Sequence, residues 1–127
     1  MFVINAVERV EASGVVAIVR LNDYSAAVDL VKALIEGGID VVEFTYTNPR
    51  AGAAVEEVKT ALGNDVLAGA GTVLDPETCR AAILQGADFI VTPTINVDTI
   101  RLSQRYAIPT VIAVSYTHLT LPTIYSV

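Results

Sequence analysis

Five short runs rich in β-branched residues recur along the chain, at Val15–Val19, Val41–Tyr46, Val66–Ala70, Phe89–Thr92 and Thr110–Val114. Their starts lie 26, 25, 23 and 21 residues apart, room for one strand and one helix per period. In the first interval Ala26, Ala27, Leu30, Val31, Leu34 and Ile35 fall at the spacing of a helix with one apolar face. Helix starts are signalled at Asn22/Asp23, Asn48-Pro49, Asp75-Pro76-Glu77 and Asn96, and helix stops at Gly37-Gly38, Gly63 and Gly86, because short polar side chains cap free N–H groups and glycine accepts the left-handed exit. Strand and helix alternate throughout.

Near-continuous apolar strands separated by amphipathic helices predict an α/β fold with a parallel sheet buried on both faces. Periodicity does not choose between a doubly wound sheet and a closed barrel. The strand-to-helix turns bear on ligand class. Val19-Arg20-Leu21-Asn22 has no glycine where a dinucleotide fold needs G-x-G-x-x-G. Gly69-Ala70-Gly71-Thr72 follows the third strand and lacks the third glycine.

At 127 residues the chain is one domain or part of one. A 53% hydrophobic and 17% charged composition excludes disorder. The net charge of −6 with no Lys/Arg cluster excludes nucleic acid as a partner, since phosphate binding needs a basic surface. Residues 1–11 include Glu8, Arg9 and Glu11 and lack the apolar run of a signal peptide; no stretch reaches membrane-spanning length, so no membrane partner is expected. The single Cys79 allows no internal disulfide and reads as a packed thiol in a cytoplasmic protein.

The character changes at Ala113. The last fifteen residues contain no Lys, Arg, Asp or Glu. Val114–Thr123 reads, codon by codon, as the translation of a transposase adaptor used in sequencing libraries. The chain is therefore expected to divide into a domain at 1–112 and an artefactual tail at 113–127, excluded from fold reasoning, the alternative being a genuine threonine-rich final strand. His118, the single histidine, receives no role.

Candidate chemistry centres on the second strand. Alternation puts Val41, Glu43, Thr45 and Thr47 on one face and Val42, Phe44 and Tyr46 on the other. The apolar set suits the helix layer, which leaves a carboxylate on the opposite face. Burying an unpaired carboxylate costs several kcal/mol, so Glu43 is either paired, with Arg20 as the obvious partner, or a general acid/base whose pKa is raised by desolvation. Arg20 ends the first strand, where βα folds bind ligands. Thr72 follows Gly69-Ala70-Gly71, whose missing side chains let the backbone approach a ligand. Pro93 closes the fourth strand.

Four segments in order, Gly14–Arg20, Val42–Pro49, Gly69–Leu74 and Gly86–Pro93, resemble the 2-keto-3-deoxy-6-phosphogluconate and 4-hydroxy-2-oxoglutarate aldolase family, and the resemblance covers residues 1–112. It implies the N-terminal half of a (β/α)8 TIM barrel with about five parallel strands. It also implies class I cleavage of a ketoacid or sugar-acid phosphate to pyruvate and an aldehyde, through a lysine Schiff base, without cofactor or metal. The setting would be the Entner–Doudoroff pathway and the full-length enzyme a homotrimer. By resemblance Glu43 moves protons through water, Thr72 and Arg20 hold the pyruvyl carboxylate or neighbouring oxygens, and Pro93 lines the pyruvate pocket. Thr47 stands on the substrate side where some members carry arginine, and its hydroxyl cannot make a bidentate carboxylate clamp.

The nucleophilic lysine is expected on the sixth strand. Lys32 and Lys59, the two lysines present, sit mid-helix beside Asp29, Glu36 and Glu56, which favour the protonated amine; both read as solvated. The chain alone is therefore expected to be inactive. Two other readings stand beside this one. A thiamine-phosphate synthase relative would share the barrel, although Glu43-Phe44-Thr45 argues against it, and a non-catalytic half-barrel would assemble with a partner. With only five strands, Val16, Ile18 and Val41 are expected to face an open trough.

Overall fold

The computed structural model describes residues 2–113; the tail from Val114 onward, and the end of the fifth expected run, lie outside the described residues. The elements are α1 (Phe2–Ser13), β1 (Ala17–Val19), a 3-10 turn (Tyr24–Ala26), α2 (Ala27–Glu36), β2 (Val41–Thr45), α3 (Ala51–Leu62), a second 3-10 turn (Gly63–Asp65), β3 (Leu67–Gly71), α4 (Pro76–Leu84), β4 (Phe89–Thr92), α5 (Val97–Arg105) and β5 (Thr110–Ile112). All four strand pairings are parallel. The strands lie in chain order β1-β2-β3-β4-β5. A doubly wound sheet reverses its strand order at a switch point, and this sheet has no reversal. The question left open by periodicity is thus settled for a barrel-like progression.

The two faces of the sheet carry separate cores. Val42, Phe44, Ala68, Ala70 and Ile90 pack with Ala27 and Val31 of α2, Val55 and Val58 of α3, and Cys79 and Ala82 of α4. Phe44 meets Tyr24 edge to face, ring centroids 5.7 Å apart, and each such buried ring contributes about 1.5–3 kcal/mol of transfer free energy. On the opposite face Val41, Leu67, Phe89 and Val91 pack with Ala6, flanked by Val10 and Val16. This second face is the barrel interior.

Local signals account for most helix starts. Asp75 accepts a hydrogen bond from Thr78 N–H at 2.6 Å and Asn96 one from Thr99 N–H at 3.0 Å, so both are N-caps. Asp23 caps the 3-10 turn through Ser25 N–H, and α2 begins later, without a side-chain cap. Asn48 accepts from Arg50 N–H and donates to Leu21 O, tying two strand-to-helix turns together instead of capping α3.

Three expectations need correction. Helix α1 lies outside the elements that the apolar pattern predicts, and it closes the lower, N-terminal end of the interior. Val41 in consequence is fully buried and does not face an open trough, whereas Ile18, farther along, remains 57% exposed. Lys59 is not solvated: its Nζ lies 2.8 Å from Asp88 Oδ2 and donates to Gly63 O at 2.8 Å and Val66 O at 3.0 Å. Thr47 lies beyond the end of β2, in an exposed turn, so the alternation that carries Glu43 and Thr45 inward stops before it.

Candidate active site

The C-terminal ends of four adjacent strands bring the sequence-derived candidates to one rim. Arg20 follows β1, Thr72 follows β3 and Pro93 follows β4 directly. Thr47 stands two residues past β2, at the rim but off the strand face. Arg20 is exposed, and Thr72 and Pro93 are half-buried. Glu43 lies on the interior face between Ile18 and Gly69, its register partners.

Glu43 is only 8% exposed. Burial pushes its carboxyl above the ordinary 4.5, the Arg20 charge pulls the other way, and no hydrogen bond offsets the desolvation. The ion pairs among the described residues are Arg9–Asp40 and Lys59–Asp88. Glu43 and Arg20 therefore interact through space without forming a contact pair, and the stabilising-pair alternative does not describe this geometry. What remains is a buried carboxyl on the interior face that holds its proton to higher pH than usual, a property that general acid/bases share with other desolvated carboxyls.

Two glycines of β3 create the room. Gly69 and Gly71 point inward, in register with Glu43 and Thr45. A Cβ on Gly69 would run into the Phe89 ring, and a Cβ on Gly71 into Glu43 Oε1. The first vacancy is filled by core packing, the second by the carboxylate. Immediately after them Thr72 takes φ +55°, a left-handed conformation that a β-branched residue adopts only under constraint. Such strain collects at functional sites.

Thr45 was not singled out by the sequence reading. It is 3% exposed, and its Oγ1 is buried without a hydrogen-bond partner. The signal was present in the alternation that selected Glu43. Cys79 is a packed thiol, pushed up to about 11 by burial, with Sγ toward Thr99 O at 4.0 Å. The larger hollows, of 620 and 720 Å³, flank α1 at the opposite end of the strands, beside Arg9, Asp40 and Lys59. Among the described residues no helix is long and apolar enough to cross a membrane.

Comparison with known proteins follows the same lines. The family described as "Aldolase: KDPG and KHG aldolase" matches residues 6–121. The 2-dehydro-3-deoxy-phosphogluconate aldolase of Treponema pallidum is 40% identical over 94 residues, 74% of this chain and 43% of that protein. The 2-dehydro-3-deoxy-6-phosphogalactonate aldolase of Escherichia coli is 36% identical over 91 residues, 72% of this chain and 44% of that protein. The solved KDPG aldolase of Legionella pneumophila, with pyruvate captured as a covalent carbinolamine, superposes with a TM-score of 0.74 at 27% identity, over 87% of this chain and 53% of that one. The chain spans about half the length of the relatives it matches, and its five parallel strands correspond to about half of an aldolase barrel.

Proposed function

The chain belongs to the KDPG and KHG aldolase family, and on that premise we propose that it is the first half of a class I aldolase. The complete enzyme would cleave 2-keto-3-deoxy-6-phosphogluconate or 4-hydroxy-2-oxoglutarate to pyruvate and an aldehyde in the Entner–Doudoroff pathway, working as a cytoplasmic homotrimer. A lysine amine adds to the substrate ketone, and the carbinolamine loses water to give the iminium ion. Loss of the proton from the distal hydroxyl then breaks the carbon–carbon bond, leaving an enamine and releasing the aldehyde. Protonation and hydrolysis of the enamine return pyruvate and the free amine.

The observation that carries this reading is Glu43: an interior carboxyl, desolvated and without an ion-pair partner among the described residues, leaning against Gly71, the residue before the strained Thr72. A carboxyl with a raised pKa can give a proton to the leaving hydroxyl of the carbinolamine and later return one to the enamine. Arg20 supplies positive charge for the pyruvyl carboxylate, Thr72 and Thr47 supply hydroxyls, and Pro93 forms apolar wall.

The nucleophile lies outside residues 1–112 in this reading. Lys59 spends its amine on Asp88 and two carbonyls at the opposite rim, and Lys32 is exposed on the middle of α2. Borohydride reduction in the presence of pyruvate, followed by peptide mass spectrometry, tests the assignment. The complete enzyme is expected to acquire the adduct on a lysine beyond residue 112, and the 127-residue chain is expected to acquire none. A stable adduct on Lys32 or Lys59 would overturn it.

A further inference from the structure

Thr45 has a buried hydroxyl with no partner, and the Glu43 carboxyl beside it is desolvated with no hydrogen bond. A hydroxyl buried without a partner forfeits its water for nothing, so an orphan of this kind on a site wall needs an explanation. Both residues project from β2 onto the interior face, two positions apart, which places their Cβ atoms roughly 7 Å apart. Glu43 does not extend straight outward: Oε1 lies against Gly71, and Gly71 is the register partner of Thr45, one step beyond the partner of Glu43 itself. The carboxyl thus leans along the strand to the level of Thr45. A glycine at 71 is what permits this lean.

We propose that Thr45 is a positioning residue for Glu43, its hydroxyl meeting the carboxyl through a small side-chain rotation and holding it in both protonation states. The inference rests on the acid/base reading of Glu43. A threonine hydroxyl both donates and accepts. When Glu43 is ionised the hydroxyl donates to the carboxylate; when Glu43 is protonated the carboxyl donates to Oγ1. One neighbour therefore serves either stage of a proton-shuttling cycle without repacking. Among the described residues no side chain hydrogen-bonds Glu43, and the competing hydroxyl is that of Thr72, the residue after Gly71. Beside Glu43, β1 presents Ile18 and, past its end, the Arg20 charge, which makes no contact pair. On β3 the facing residues are Gly69 and Gly71. Below, α1 packs at Val41, with Arg9 engaged by Asp40.

The bond to the ionised form is charge-assisted and the stronger of the two. Removing the hydroxyl should therefore raise the Glu43 pKa further. The experiment is a side-chain carboxyl NMR titration of Glu43 in the complete, substrate-free enzyme, with the resonance assigned by its loss in Glu43→Gln. Thr45→Val is expected to shift the titration upward by about 0.5–1 pH unit, and to move the acid limb of the kcat profile the same way. Thr45→Ser should leave both near the parent values. If valine at this position prevents folding, Thr45→Ala carries the same prediction. An unshifted Glu43 titration in the hydroxyl-free variant, or an equal shift in Thr45→Ser, would overturn the proposal. Because the titration is read without substrate, that outcome stays distinct from failure of the acid/base reading, which shows as an unimpaired Glu43→Gln enzyme.

Discussion

The two ends of the same five strands are built on opposite electrostatic terms. At the N-terminal end the charges nearest the sheet are paired: Arg9 bridges Asp40 at 3.2 Å and donates to Asn64 O at 3.0 Å, and Lys59 joins Asp88, which in turn accepts from Ala68 N–H. Helix α1 lies across this end and brings Ala6 onto Val41. At the C-terminal end Glu43 is buried without a counter-ion in contact, Thr45 Oγ1 is orphaned, and Thr72 holds a left-handed backbone. Pairing offsets the cost of desolvating a charge, whereas unpaired buried groups keep that cost and persist where something other than stability retains them. Under the proposed function the contrast corresponds to chemistry at one end and structural support at the other, the division expected of βα barrels. It also explains why the larger hollows, which lie around α1, are not where the reactive groups are.

The sharpest way to break the contrast is to disturb the paired end of the complete enzyme. Lys59→Met should leave the Asp88 carboxylate and the Gly63 and Val66 carbonyls short of a donor, at a cost of roughly 2–4 kcal/mol, read as a lower midpoint in denaturant. The kcat of the folded fraction should stay near that of the parent. A stable variant with impaired kcat would mean that the two ends are not divided as described.

Smaller effects on stability, and opposite effects on activity, are expected within β3. Gly69→Ala drives a methyl into the packed Phe89 ring and should cost about 1–3 kcal/mol. Gly71→Ala meets only the flexible end of Glu43, which can swing aside, so its stability cost should stay below about 1 kcal/mol. The displaced carboxyl should nevertheless lower the turnover rate far more than Gly69→Ala does. Paired denaturation and rate measurements on the two variants decide between these outcomes. Equal losses in both quantities would remove the distinction between a glycine kept for packing and one kept for the site.

Much of the sheet was legible because period-two alternation on β2 and the recurring strand-helix spacing are local signals. Val42 and Phe44 lie toward the helices and Val41 and Glu43 toward the interior, as the alternation requires. Asp75 and Asn96 cap their helices because capping is decided within three residues. The resemblance of four ordered segments carried the family. What failed depended on distant partners. Lys59 reads as solvated from Glu56 three positions earlier, yet its ion-pair partner Asp88 arrives from the next βα unit. Helix α1 carries a local signal in the helical spacing of Ala6, Val7 and Val10, but the strand ends it packs against are distant in sequence. Thr47 was carried inward by an alternation that ends when β2 does. The strain at Thr72 has no signature in its own residue type, and the orphaned Thr45 hydroxyl becomes visible only when its neighbours are known.

The most direct test of Glu43 as the proton-moving group is the rate of pyruvate formation by the complete enzyme against its Glu43→Gln variant. The glutamine keeps the size and polarity of the side chain while removing its ability to ionise. Because burial raises the folded-state pKa of Glu43, its ionisation opposes folding above the ordinary 4.5 and not below it; the variant should therefore melt no lower than the parent at neutral pH. The rate should fall by about 10²–10⁴-fold. An unchanged rate in an equally stable variant would contradict the assignment and leave Glu43 as a structural carboxylate.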